Sequence, residues 1–509
     1  MRMRQPLLRA TVLISLVVAL LWPAVWNRGP FYFVDTRTYM RSEDAALNRF
    51  THTRTEWTAE DSQSAEASAS QATGKSLANT DKSLHNIGVA HTRSLEEIKK
   101  KGIMLGRSLY YGLVLYIGAI AGGFWLTIVI QAAAVLLALY LTLRALEIEV
   151  WPALAWLCVA LCLVSDVSFF ASYLMPDLFA GIAILCCAVL LSVGRRLKRT
   201  EYALWFLLLA STMLFHDTCF LISVLLLALS VVANLFRRSW ANARGLCVIL
   251  LAALTSFAGQ SIATYGIAHA SGQEPLRFPL IEARLIEDGP GTDYLRATCP
   301  QSRFNLCEYV SEFPMSSYDF LFGTKPEKSV YEMASYDKRR ALSQEQFRFL
   351  LAVLRYEPVA VVKSSLHNAA AQFLDFTLSS FRYNVSTKDI MDRTFPIKAL
   401  RQIQAGAAYR GSMPAVTLSV LVYLFVIGSV LYLVLATFGR LPGRSVNQPF
   451  KAIFFWIAAG VVLNAAICGG ISVNESRYQA RVIWLIPLAA LLVEANARFR
   501  RAGRHAGPA

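Results

Sequence analysis

The segment Leu7-Leu-Arg-Ala-Thr-Val-Leu-Ile-Ser-Leu-Val-Val-Ala-Leu-Leu-Trp-Pro-Ala-Val-Trp26 runs almost without charge into Phe31-Tyr-Phe-Val-Asp35-Thr-Arg37-Thr-Tyr39-Met-Arg41. The first part is long enough, as a helix, to cross a hydrocarbon layer about 30 Å thick. The second sets a carboxylate and two arginines between aromatic rings at the point where the chain leaves that layer. A plain anchor has no use for such a cluster, whereas a site that handles a charged lipid headgroup does. The basic start Met1-Arg2-Met-Arg4 has the look of a signal peptide. Trp22, Pro23 and Trp26 occupy the region where a small-residue cleavage site would stand, so a retained first helix is expected.

The rest of the chain agrees with a membrane frame. Of its 509 residues, 55% are hydrophobic and only 17% charged, too apolar for a soluble protein of this length. Apolar runs at 7–26, 123–145, 151–171, 174–194, 202–216, 217–236, 245–268, 413–438, 451–471 and 480–496 predict an all-α polytopic protein with about ten transmembrane helices. The net charge of +16 gathers in short turns instead of forming a stripe that could track a nucleic acid, so nucleic-acid binding is not expected. With the N-terminus in the cytoplasm, Arg195-Arg196-Leu-Lys198-Arg199, Arg237-Arg238, Arg440, Arg444 and the basic C-terminal tail all fall on the cytoplasmic face. The positive-inside rule therefore puts both termini in the cytoplasm of a multi-pass protein.

Five regions follow: 1–50, the first helix and first periplasmic segment; 51–101, a polar insertion; 102–268, a transmembrane core; 269–410, a periplasmic domain; and 411–509, the last spans and tail. The insertion is rich in Ser, Ala, Thr and Glu with scarcely a large hydrophobe, so it is read as a flexible segment or a solvated helix without chemistry. Leu109–Ala121 is read as a half-inserted or interfacial helix. In the periplasmic domain, Ser343-Gln-Glu-Gln346 predicts a capping box that opens a helix over Phe347–Arg355. Pro358 interrupts that helix, and an amphipathic continuation to about Phe376 is expected to rest on the bilayer. Seven of the nine cysteines lie in or beside apolar runs; Cys299 and Cys307 alone share a polar exported loop and are expected to form a disulfide.

Topology then gathers the ionisable residues on the periplasmic face: Asp35, Asp177 in Tyr173-Leu-Met-Pro-Asp177, His216-Asp217, and Arg477 with Arg481 in Asn474-Glu-Ser-Arg-Tyr-Gln-Ala-Arg481. Each has a plainer alternative. Pro176-Asp177 equally suits the start of a helix, His216-Asp217 the junction of two, and the arginines the interfacial role of long cationic side chains.

An acid just past the first span, the Asp35…Tyr39 spacing, Arg107-Ser-Leu-Tyr110-Tyr111, Pro176-Asp177 at a helix mouth and an Arg-Tyr turn before the last span together resemble the GT-C class of lipid-dependent glycosyltransferases. The resemblance covers roughly 1–50, 105–270 and the last spans. It implies a donor sugar on a polyprenyl phosphate or pyrophosphate, a glycan or lipid acceptor, and a location in the bacterial inner membrane. Asp35 would then be the catalytic base, because an inverting displacement needs a carboxylate to take the acceptor proton. Arg37, Arg107, Arg477 and Arg481 would bind the phosphate, and Tyr39, Tyr110 and Tyr478 would contact sugar or lipid. Members of the class often carry paired acids in the first loop, so Glu43-Asp44 is an alternative, with Asp177, His216 and Asp217 as supporting groups. Use of Mg²⁺ or Mn²⁺ varies within the class, and a divalent cation between Asp35 and a phosphate is one option the pattern leaves open. An O-antigen-type polymerase or ligase is the second reading. A lipid-linked-glycan transporter is less favoured, because transport sites sit at mid-bilayer. A membrane acyltransferase with His216 as base rests on one dipeptide.

Overall fold

The computed structural model describes residues 4–51, 55–57, 107–193, 197–236, 241–323, 329–444 and 446–499; the side chains of 4–6 and 44–51 are not described. The expectations for most of 51–101, for Arg195-Arg196 and Arg237-Arg238, for the Asp44 side chain and for the C-terminal tail therefore fall outside the described residues.

Helices dominate, and Phe31 and Tyr173 form an isolated parallel bridge. In chain order, α1 covers Arg4–Leu20 and is followed by a short turn of helix, Trp22–Trp26; α2 covers Val34–Thr51 and α3 Leu109–Gly122. The membrane core continues with α4 Trp125–Ala145, α5 Val150–Val164, α6 Leu178–Val193, α7 Arg199–Phe215, α8 Asp217–Phe236 and α9 Ala243–Ser271. The domain between contains short helices and two long ones, α10 Tyr336–Tyr356 and α11 Pro358–Leu374. The chain closes with α12 Ala415–Thr437, α13 Gln448–Ile471, α14 Ser476–Ile483 and α15 Leu485–Phe499.

Among the described residues, six helical segments are long and apolar enough to cross a membrane: α4, α8, α9, α12, α13 and the α14–α15 unit. Four shorter apolar helices accompany them, Leu7–Leu20, Leu109–Gly122, Val150–Val164 and Leu178–Val193. Only 17% of the apolar window of α12 and 22% of that of α9 is buried inside the protein. Apolar side chains left outward on helices of this length need lipid around them, so this is a multi-pass membrane protein.

Helix α6 is the axis. Its sequence is apolar all round, and every residue but Ser192 is buried, as expected of a helix surrounded by others. Neighbours approach closely where glycine allows. A Cβ on Gly245 of α9 would stand 2.1 Å from the Leu190 carbonyl oxygen, and one on Gly460 of α13 would stand 2.5 Å from Ile184 Cγ2. His216 separates α7 from α8, as the break in that long apolar run suggests.

Within 269–410, residues 278–361 have their own apolar core, with Ile286, Leu295, Leu306, Phe320, Leu342 and Phe349 at its centre, whereas Phe376, Phe381, Phe395 and Ile403 pack into the core of the membrane helices. Cys299 and Cys307 form a disulfide, with Cα atoms 5.5 Å apart. The capping box at Ser343 is a false start. Helix α10 begins eleven residues earlier than Phe347, at Tyr336, capped by Ser335, whose Oγ accepts from the Lys338 amide. Ser343 instead lies inside the helix, where its hydroxyl donates back to the Arg339 carbonyl at 2.8 Å.

Candidate functional site

The Phe31–Arg41 stretch is pinned before it becomes a helix. Phe31 donates to the Ser172 carbonyl and accepts from the Leu174 amide, both at 2.9 Å. The Tyr32 amide donates to Tyr383 Oη at 2.9 Å, and Thr36 Oγ1 donates to the Leu174 carbonyl at 3.1 Å. Around the bridge Phe31, Phe169, Phe170, Tyr173 and Phe381 pack their rings at 5.1–6.3 Å. This clamp joins residues 31–36 to the segment that ends in Pro176-Asp177. Helix α2 starts at Val34, so Asp35 stands in a first helical turn, where the helix dipole favours an anion, and not in an open loop.

Two ion-pair groups result. Asp35 pairs with Arg107 at 2.5 Å, and both side chains remain partly exposed, at 18% and 28%. Arg107 is held there because the next residue, Ser108, caps α3 and donates from its hydroxyl to the Leu214 carbonyl at 2.6 Å. The second group is almost closed to solvent. Asp177, 1% exposed, is shared by Arg481 at 3.3 Å and Arg477 at 3.6 Å, themselves 0% and 9% exposed. Helix α14 is registered by Asn464, which donates to the Tyr478 carbonyl at 2.6 Å and accepts from Arg481 at 3.2 Å. The Arg477 guanidinium lies over the rings of Phe33 and Tyr478, at 4.2 and 4.8 Å.

The groups share one field. Arg477 feels the charges of both Asp177 and Asp35, and Arg107 feels Asp35, Tyr39 and Tyr478. Tyr39 lies within range of Arg107, Asp35, Asp177 and Arg477, with its ring 5.3 Å from that of Tyr111. His216 is close enough to feel Arg481, Asp177, Arg107 and Arg477. Three guanidinium groups against two carboxylates leave the cluster with an excess positive charge. Within it, the buried Nε atoms of Arg477 and Arg481 find no hydrogen-bond acceptor among the described residues. A buried N–H without an acceptor is costly, and an anionic oxygen is the group that would satisfy it.

The sequence candidates divide. Asp35, Tyr39, Arg107, Asp177, His216, Arg477, Tyr478 and Arg481 come together; Arg37 lies one turn into α2, half-buried. Tyr110 does not join them: its hydroxyl donates to the Gly259 carbonyl at 2.7 Å, which ties α3 to α9. Asp217 points outward, 68% exposed, with Arg277, just after α9, 4.0 Å away. Glu43 is buried against α3, where a Cβ on Gly112 would meet its side chain at 2.6 Å. Burial raises its carboxyl to about 7. Four members were given no site role from the sequence: Phe33, Tyr111, Tyr173 and Gln131. Gln131 accepts from Tyr111 Oη at 2.8 Å and donates to the Ala171 and Tyr173 carbonyls, so this polar residue in an apolar run braces the cluster. Asn464, another such residue, registers α14.

Among the described residues no three or more His, Cys, Asp or Glu side chains stand where they could hold a metal ion together. The donors at hand do not fit a resident divalent cation: Asp35 faces a guanidinium, and Asp177 is shared by two. Two open depressions lie elsewhere. One of about 390 Å³ sits between the Asp288–Pro290 turn and α11. The other, of about 240 Å³, is lined by Thr55, Glu56, Trp57, Ala119, Ile120 and Lys398.

No family model matches the chain, nor does any curated protein or solved structure.

Proposed function

We propose that the chain is an inverting glycosyltransferase that moves a sugar from a polyprenyl-phosphate-linked donor to a cell-envelope glycan or lipid acceptor. In this reading about ten helices cross the bacterial inner membrane, both termini are cytoplasmic, and the Asp35–Asp177 cluster faces the periplasm. The six long apolar segments and the shorter ones Leu7–Leu20, Val150–Val164 and Leu178–Val193 account for nine of these spans, with α7 as the tenth. The observation that carries the chemistry is one partly exposed carboxylate, Asp35, beside a buried cationic cluster in which the Nε atoms of Arg477 and Arg481 lack acceptors among the described residues.

The donor phosphate enters beside Arg477 and Arg481 and supplies the missing acceptors. Arg107 turns from Asp35 to the phosphate, which releases the carboxylate to act as a base. Asp35 takes the proton of the acceptor hydroxyl, the acceptor oxygen bonds to the anomeric carbon, and the bond from that carbon to the phosphate oxygen breaks. The electron pair leaves with the polyprenyl phosphate, whose growing negative charge is met by guanidinium groups already in place. Tyr39 and Tyr478 line the sugar's approach. No step runs through a metal.

The polymerase or ligase reading uses the same arginines and the large periplasmic domain but has no need of Asp35. Purified Asp35→Asn protein, given sugar-charged polyprenyl phosphate and acceptor extract, separates the two. The transferase reading expects turnover to fall by about 10²–10⁴ with donor binding retained; turnover within twofold of the parent would overturn it.

A further inference from the structure

Helices α10 and α11 have an apolar face that the described residues leave uncovered. On α10, Phe347, Leu351 and Leu354 follow i, i+4, i+7 spacing, and Phe347 and Leu351 are 67% and 52% exposed. On α11, Val359, Val362 and Leu366 continue the pattern at i, i+3, i+7, with Val359 and Leu366 at 78% and 66%. The opposite side of α11, with Val361, Asn368 and Gln372, is buried. Helix α11 packs along the spanning helix α13, where Asn368 backbone atoms come so near Gly469 that a Cβ there would stand 2.5 Å away. Its third side, with Ala360, Lys363, Ser364 and His367, lines the polar depression of about 390 Å³.

The C-terminal end of α11 shows what covers the apolar side. Tyr423 Oη donates to the Leu374 carbonyl at 2.7 Å and accepts from the Phe376 amide at 3.1 Å, and the Phe376 and Tyr423 rings stack at 3.8 Å. Tyr423 lies eight residues inside α12, about 12 Å from its start at 1.5 Å per residue. Helix α12 is mostly lipid-facing, with Val416, Val420 and Leu424 all outward. The end of α11 is therefore bonded to a side chain that arises about two turns into a spanning helix, and Leu374 at that end is itself 66% exposed. Cations border the stripe: Arg348 and Arg355 on α10, Lys363 on α11, all exposed.

We propose that α10 and α11 form an interfacial helix pair lying in the outer leaflet, with the Phe347–Leu366 stripe covered by acyl chains and Arg348, Arg355 and Lys363 meeting anionic phospholipid headgroups. Held this way, the periplasmic domain is tethered at a fixed height over the cluster through α11, whose Gln372 exchanges hydrogen bonds with the backbone of Glu475 beside Arg477.

The test is nitroxide accessibility in the full chain, reconstituted in phosphatidylethanolamine–phosphatidylglycerol vesicles. Cys247, the exposed free cysteine, is first changed to serine, and that parent supplies the background from the buried thiols. Labels at Leu351→Cys and Leu366→Cys should collide freely with oxygen and lose collisions with a water-soluble nickel chelate. A label at Ala360→Cys, on the polar side of the same helix, should collide with the chelate. Free access of the chelate to Leu351→Cys and Leu366→Cys would overturn the proposal. So would shielding from both quenchers, which would mean that protein, a partner or a second copy, covers the stripe.

Discussion

Replacing Asp177 by asparagine keeps the shape of the buried cluster and removes its only fully enclosed negative charge. Asp177 is 1% exposed and is shared by Arg481 and Arg477, which are 0% and 9% exposed. Two guanidinium groups would be left out of water with no enclosed counter-charge. Removing one partner of a buried ion pair costs about 3–5 kcal/mol. Asp35→Asn removes a carboxylate of the same kind from a pair whose members are 18% and 28% exposed, and water that reaches a pair lowers its worth toward the roughly 0–1 kcal/mol of exposed pairs. Unfolding of the detergent-solubilised protein by a denaturant, followed by tryptophan fluorescence, measures both. The expected result is a large loss of stability for Asp177→Asn and a small one for Asp35→Asn. Adding Arg481→Gln to Asp177→Asn should restore part of the loss, because it removes one of the stranded charges. Equal, small losses for both single variants would refute the closed-cluster reading, and with it the contrast between a structural acid and an accessible one.

Two further outcomes follow from particular side chains. Glu43 is raised by burial from the ordinary 4.5 to about 7, so the folded protein holds its proton in a window where the unfolded chain has lost it. Stability should therefore fall as pH rises from 4.5 to 7, by at most about 3 kcal/mol at roughly 1.4 kcal/mol per unit. Glu43→Gln should flatten that slope; an unchanged pH profile would show that Glu43 is solvated. On α9, Gly245→Ala should destabilise the protein, since its new Cβ meets the Leu190 carbonyl at 2.1 Å. Gly266→Ala in the same helix meets nothing and should gain about 0.5–1 kcal/mol from helix propensity, so equal effects of the two on denaturant midpoints would contradict the α6–α9 packing.

The membrane frame was legible because it rests on composition. Leu178–Val193 is apolar on all sides, and a helix of that kind has to be surrounded. His216-Asp217 marked the joint between α7 and α8, since a pair of ionisable residues does not stay inside an apolar run. The union of Asp35 with Asp177 was inferable only through topology, because the clamp that makes it is a pair of backbone hydrogen bonds between Phe31 and residues 172–174. Backbone pairing of two short segments far apart in the chain leaves no period to read. Ser343 misled because a capping box is a local pattern, and Ser335 offered a better cap upstream. Tyr110 and Tyr111 were indistinguishable until the register of α3 was known: one turns to Gly259, the other to Gln131. Arg477 and Arg481 stood out because two arginines in one polar turn before an apolar run are expensive to bury, yet nothing in their spacing named Asp177 as the shared partner.

The central claim is that the cluster is built for the phosphate of a lipid carrier. Its most direct test is to titrate the purified protein with undecaprenyl phosphate and, in parallel, with undecaprenol, reading bound lipid by native mass spectrometry. Saturable binding that requires the phosphate, and that weakens in Arg477→Gln protein while undecaprenol association stays as it was, is the result expected. Equal affinity for the phosphate and the alcohol would contradict it.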